Sequence, residues 1–364
     1  MDKERARFFQ KIRSQIGNTP LYEIKDINIP NGNRIFAKEE FRNQITMSHY
    51  DRVYVELFYN LEERGKIDPS RVHVVETTSG NAGTAFAAIA EKLGYKATVI
   101  IPEGVSKARL NSIAERGAEI IQTPKNLFIK GAVDKLKHLI KVENKERIRA
   151  GKLPYYCPDH SRNKITIDAM SKIGKEVISH APNKLNYFVA AAGNGSSILG
   201  PAKYLMNNGL KIIAWDPIQA PTAFQMKYPG RYKSLFGIHP GTLGPHYIYG
   251  TGVLGVDFPF LKEAILGTKD IPPIVDDVIL IKNEEAILTL SSLKDASLVS
   301  KSGFERALAL PDFAYAYRLL ADTLEKPVGF SSGGSLAVAL KLCEAVKNKN
   351  ILVIFYDHAK YYMM

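Results

Sequence analysis

Glu76-Thr77-Thr78-Ser79-Gly80-Asn81-Ala82-Gly83-Thr84-Ala85 is the stretch whose reading decides the fold. Ahead of it, Val72 to Val75 is a short β-branched run; behind it, Phe86 to Leu93 repeats apolar residues at helical spacing. A strand therefore runs into a Ser-Gly-Asn turn and then into a helix. The first amides of a helix have no partner within it, and their partial positive charge favours an anion. Thr78, Ser79, Gly80 and Asn81 thus form a candidate cradle for a carboxylate or phosphate. An ordinary capped strand-helix turn uses the same residue types, so the local sequence admits both readings.

The same alternation extends in both directions. Ala97 to Ile101 reads as a buried strand, Ser106 to Gly117 as a helix ending at glycine, and Ala118 to Gln122 as another strand. Upstream, Arg34 to Phe41 is a strand and Val53 to Glu63 an amphipathic helix. Downstream, Tyr187 to Ala192, Ile212 to Asp216, Val278 to Ile281 and Ile351 to Tyr356 are strands, with a helix starting at Asn283-Glu284-Glu285-Ala286. Strands alternating with helices predict a parallel sheet wound by helices. The lysine-rich stretch from Lys125 to Lys152 reads as a helix plus a solvated excursion. Gly193-Asn194-Gly195-Ser196-Ser197 is a second strand-loop-helix anion cradle, in which glycines let amides approach an oxygen-rich group closely. No Lys-Ser/Thr pair follows it, so it is not a Walker loop.

With 364 residues, 45% of them hydrophobic, the chain can bury a large core in two domains or one large one. The formal charge of +12 fits a lysine-rich solvated surface or the attraction of small anionic substrates. Neither an arginine-aromatic patch nor zinc-finger spacing supports nucleic-acid binding. No apolar run is long enough to cross a membrane, and Met1 to Arg13 is a charged, helical lead-in without the pattern of a leader. Two cysteines, Cys157 and Cys343, give no disulfide framework, so the expected setting is the reducing cytoplasm. Cys157 and His160 are too few to hold a metal, and none is expected.

Several segments in order carry a resemblance: Ile16-Gly17-Asn18-Thr19-Pro20-Leu21, Lys38-Glu39-Glu40, the two cradles, Gly244 to Gly252, and Gly329-Phe330-Ser331-Ser332-Gly333-Gly334. Together they resemble the cysteine synthase and cystathionine β-synthase family, the fold-type II pyridoxal-phosphate (PLP) enzymes, which include the tryptophan synthase β-subunit. The resemblance implies two three-layer α/β/α domains with mostly parallel twisted sheets and the site between them. It implies a larger domain from 1–45 and 160–364, a smaller mobile one from 46–159, and a homodimer. It also gives Thr78 and Ser79 to the substrate carboxylate, Asn81 to the cofactor's phenolic oxygen and Gly193 to Ser197 to its phosphate. Ser331 falls at the pyridine nitrogen, and His246, Tyr249, His358 and Lys360 at the pocket mouth.

One departure is large. The family's catalytic signature is Thr-Gly-Ser-x-Lys-Asp-Arg, whose lysine forms the imine with PLP. Here the stretch reads Thr46-Met47-Ser48-His49-Tyr50-Asp51-Arg52, with Tyr50 at the lysine and Met47 at the glycine. A phenol cannot form an imine; an amine is required. Tyr50 is then a candidate acid-base group, if a neighbouring cation lowers its ordinary value of about 10. His49 is an adjacent titrating group, although on a helix the two point in different directions. Cys157 is a candidate thiol.

The expectation from sequence is an enzyme of cysteine synthase-like fold working without PLP chemistry. It would act on a small carboxylate, phosphate or sulfonate metabolite by elimination, addition or sulfur transfer. Lysine-less relatives in coenzyme M synthesis suggest one such branch. No covalent cofactor is expected, with noncovalent PLP or a phosphate or sulfonate ligand in the site. Two alternatives stand beside it: an unusual PLP-dependent β-replacement enzyme or lyase without the usual lysine, and a non-catalytic metabolite-binding relative.

Overall fold

The computed structural model describes every residue except 79, 183, 207–208, 245, 247, 249, 283–312 and 363–364. The expectations for Ser79, for Tyr249 and for a helix starting at Asn283 lie outside the described residues. Among the described residues, ten strands run in chain order: β1 Leu21–Ile24, β2 Arg34–Glu39, β3 His73–Thr77, β4 Ala97–Pro102, β5 Glu119–Thr123, β6 Tyr155–Tyr156, β7 Tyr187–Ala191, β8 Lys211–Pro217, β9 Asp277–Ile281 and β10 Asn350–Phe355. They form two sheets, and the chain divides into two compact units, each holding one of them.

The first unit comprises Met1–Thr19, Glu40–Met170 and Asp357–Met364. Its sheet has the order β5-β4-β3-β6 and is parallel throughout. Val74, Val75, Val99, Ile100 and Ile101 are all fully buried. That is why these strands read as continuous apolar runs: a parallel sheet is covered on both faces. The helix Ala82–Leu93 packs its many alanines closely and stops at Gly94, whose φ of 79° is left-handed. At Gly83 a Cβ would lie 2.5 Å from Thr78 Cγ2, so the helix start and the cradle are packed as one piece.

The stretch after Lys125 holds the expected helix, and the solvated part that follows, with no residue buried from 141 to 152, is helical too. Helical turns run through Phe128–His138, Leu139–Glu143 and Asn144–Arg149. Ala132 and Leu139 are buried against Val75 and Ile100, with Leu136 and Ile140 beside them. Apolar residues at helical spacing seat this segment on the sheet, and its lysines occupy the other face.

The second unit comprises Pro20–Glu39 and Ser171–Tyr356. Its sheet has the order β1-β2-β10-β7-β8-β9, with β1 antiparallel to β2 and every other pair parallel. Lys38 is buried at 1% exposure and reaches Glu176 at 2.6 Å, so this family-matched lysine is committed to an ion pair. Among the described residues, no helix is long and apolar enough to cross a membrane.

Candidate active site

The departure from the family signature sits at the start of a helix. Tyr50–Glu63 is helical, so Tyr50 is its first residue and its N–H donates to Ser48 Oγ at 3.2 Å. Met47, at the glycine position, keeps the left-handed backbone with φ 54°. The neighbouring signature residues are occupied structurally. Asp51 accepts from Thr46 N at 2.8 Å and from the Thr46 hydroxyl. Burial pushes its carboxyl up to about 6 against the pull of those Thr46 bonds. Arg52 forms a two-pronged pair with Glu40 at 2.7 and 2.9 Å, and Thr19 and Asn43 also donate to Glu40. Thr46, Asp51 and Arg52 therefore hold the turn together whether or not a lysine stands between them.

His49 and Tyr50 differ from the expectation that they diverge. His49 lies just before the first helical residue, and the two ring centroids are 4.2 Å apart. A second imidazole also meets Tyr50: His160 lies edge-on with centroids 5.7 Å apart. His160 Nδ1 is 3.2 Å from Glu76 Oε2, and its backbone N–H donates to the same oxygen at 3.3 Å. Burial raises the Glu76 carboxyl, but His160 and two backbone amides outweigh it and leave the group below its ordinary value. Cys157 Sγ approaches the other Glu76 oxygen at 3.6 Å. Burial, then the Glu76 charge, push that thiol well above its usual value. It stays protonated, which suits packing and not nucleophilic attack.

At the carboxylate cradle, Thr78 Oγ1 accepts from Gly80 N at 2.9 Å, closing the turn on itself. Asn81 precedes the Ala82–Leu93 helix but does not cap it with its side chain. Its Nδ2 donates instead to Asp357 Oδ2 at 2.5 Å, and Tyr362 OH donates to the same oxygen at 2.9 Å. Asp357 is the residue that sequence reading missed, lying 276 positions from Asn81. Lys360 lies in the same C-terminal segment. Its ammonium is held below its ordinary value by burial and then by Arg116, against a weaker pull from Asp51. His358 accepts the Lys360 N–H through Nδ1 at 3.0 Å.

In the second unit, Gly193 and Gly195 have φ of 37° and 90° at the start of the helix Ser196–Leu205. A Cβ on Gly195 would come within 2.3 Å of Leu261 N, so only glycine passes here. Asn194 Oδ1 accepts from Ser196 N at 3.0 Å and Ser196 Oγ at 2.7 Å. Asn194 Nδ2 is buried with no hydrogen-bond partner among the described residues. Ser197, half-buried, follows in the first turn. Ser331, 6% exposed, is the second residue of the helix Phe330–Ala345. Gly334 in that helix lets Trp215 pack: a Cβ would lie 2.3 Å from the indole. His246 is tied down through Nε2 to Gly252 O at 3.0 Å, and burial lowers its pKa, which keeps the ring neutral. A neutral, engaged imidazole is a poor receptor for an acidic substrate.

Residues 12–357 match the family described as pyridoxal-phosphate dependent enzyme. The chain belongs to that family. It is 30% identical to cysteine synthase A of Escherichia coli over 98% of this chain and 95% of that protein. It is 27% identical to cysteine synthase B of Campylobacter jejuni over 97% of both. The O-acetylserine dependent cystathionine β-synthase structure from Helicobacter pylori superposes with a TM-score of 0.73 at 25% identity, covering 97% of this chain and 96% of that one. The fold is thus the fold-type II architecture expected, with two mostly parallel α/β units.

These relatives overturn the expectation of a PLP-independent reaction, because they are PLP enzymes of cysteine and cystathionine synthesis. The physical reason lies in two separable tasks. A lysine anchors the cofactor covalently, whereas a phosphate loop and a pyridine partner hold it by hydrogen bonds. Tyr50 supplies no amine for the first, and the second falls to other residues. The residues present fit the phosphate end of PLP, since the orphaned Asn194 Nδ2 is a buried donor at a helix N-terminus. They do not fit covalent anchoring at position 50.

Proposed function

We propose that this chain is a PLP-dependent enzyme of the cysteine synthase type that holds its cofactor without the usual lysine. It carries out β-replacement or β-elimination on a small amino acid. The relatives' activities support this reading, and the observation that carries it is the Gly193–Ser197 turn with its unpartnered Asn194 Nδ2. Bound PLP supplies an electron sink for a carbanion at the substrate Cα. The backbone amides of Gly193 to Ser197 and Asn194 Nδ2 would hold the phosphate, and the Ser331 hydroxyl would meet the pyridine nitrogen. Thr78, Ser79 and Gly80 would receive the substrate carboxylate. Tyr50 would move a proton at Cα through its phenolic oxygen, with the His49 ring beside it and the His160–Glu76 pair fixing its edge.

Titration of the full-length protein with PLP, followed by absorbance, tests this reading. Saturable binding is expected, with the mass of the denatured protein unchanged after borohydride reduction. Asn194→Ala should weaken PLP binding about tenfold, the value of a lost hydrogen bond to a charged group. Cofactor fixed to any lysine would remove the noncovalent mode, and failure to bind PLP would remove the whole proposal.

A further inference from the structure

Asp357 stands at a junction. Its backbone bridges to Ser48 in the turn that carries Tyr50, and its side chain meets Asn81 at the carboxylate cradle. Two donors, Asn81 Nδ2 and Tyr362 OH, go to the same oxygen, Oδ2. Asp357 Oδ1 and Asn81 Oδ1 are buried and have no hydrogen-bond partner among the described residues. The two side chains are 4% and 2% exposed. An unmatched buried acceptor is costly, so two of them in one contact define what could complete the site.

Both open atoms are acceptors, and one belongs to a carboxylate. A second anion would be repelled there, and a metal ion would need more ligands than these two residues offer. No group of metal-ligating side chains occurs among the described residues. An ammonium carries positive charge and three donors and no acceptor, which is the complement of this pair. Among the described residues, three charged or titratable groups bear on Asp357: Tyr361, Tyr362, and Arg109, whose guanidinium carbon lies 5.2 Å from the Tyr362 ring centre. The neighbouring turn at Thr78 to Asn81 offers the positive end of a twelve-residue helix.

We infer that Asp357 and Asn81 receive the α-ammonium of an amino acid whose carboxylate occupies the turn at Thr78 to Asn81. This rests on the amino-acid substrate proposed above and adds a specificity device to it. A site without an imine-forming lysine would then select its amino acid by charge, one grip for each end.

Calorimetry on the full-length protein, shown by absorbance to be free of PLP, tests the receptor with L-serine and with 3-hydroxypropionate, the same molecule without its amine. L-serine should bind about tenfold tighter or better, and Asp357→Asn should remove that preference while leaving 3-hydroxypropionate within about threefold. Equal affinities in the unaltered protein would overturn the inference, the two acceptors then holding a bound water only. So would a preference that survives Asp357→Asn or, where that variant does not fold, Asp357→Ser. Binding of neither compound would sink both the receptor and the amino-acid substrate. PLP binding without an amine preference would sink the receptor alone; an amine preference without PLP binding would sink the cofactor reading alone.

Discussion

The turns at Thr46–Arg52 and Gly193–Ser197 both bend the backbone into the left-handed region, but they reach it by different means. The second uses glycines at φ 37° and 90°, and its donors are largely main-chain amides. The first uses Met47 at φ 54° and carries a phenol at Tyr50, where the resemblance would put an amine. A loop that works through its backbone tolerates little change in shape. A loop that works through one side chain can lose its reaction and keep its shape, provided the residues that hold the shape remain. Thr46, Asp51 and Arg52 are those residues here, so a matching register around Tyr50 testifies to folding and says nothing of the chemistry.

The largest effect should come from breaking that support. Arg52→Ala strands Glu40 at 0% exposure with its two-pronged partner removed. Removing one member of a buried pair costs about 3–5 kcal/mol, and urea denaturation should report a loss of that order. A loss under about 1 kcal/mol, the range of exposed pairs, would mean the turn does not depend on this pair.

Next comes the other loop. Gly195→Ala forces an alanine into φ 90° and places its Cβ within 2.3 Å of Leu261 N. Strain of this kind costs about 1–3 kcal/mol, and PLP affinity should fall about tenfold or more. Unchanged affinity would show that the cofactor's phosphate is held elsewhere, and the contrast between the two loops would dissolve.

The contrast also explains what could be seen in advance. Strand-helix alternation is local and periodic, so β3 and the helix Ala82–Leu93 were legible. Three features were not. Asn81 meets Asp357 across 276 positions, and no local pattern encodes that pairing. The helix begins at Tyr50, three residues before its apolar run at Val53, which places His49 against the Tyr50 ring. Lysines between 125 and 152 hid the small set of apolar residues, Ala132 and Leu139 among them, that seat that segment on the sheet. Nor did the missing amine decide the cofactor: the relatives are PLP enzymes, and sequence reading had placed PLP-dependent chemistry only among its alternatives.

The smallest effect is the most discriminating. If Met47 is held in a left-handed backbone by the Thr46–Asp51 bonds and by the N–H of His358 donating to Met47 O at 3.1 Å, then it is strained. A left-handed conformation costs an ordinary residue roughly 1–2 kcal/mol, while glycine brings back about 0.5–1 kcal/mol of chain entropy to be lost. Met47→Gly and Met47→Ala both give up the half-buried thioether, so Met47→Gly should be the more stable of the two by about 0.5–1 kcal/mol in urea denaturation, the difference between those two terms. Met47→Ala keeps the Cβ and its strain and gives up the half-buried thioether's packing, so it should be less stable than the parent. If both variants lose stability equally, the methionine side chain is anchoring the turn by packing. The loop would then have been rebuilt around Met47 and Tyr50 together, not held over from a lysine-bearing shape.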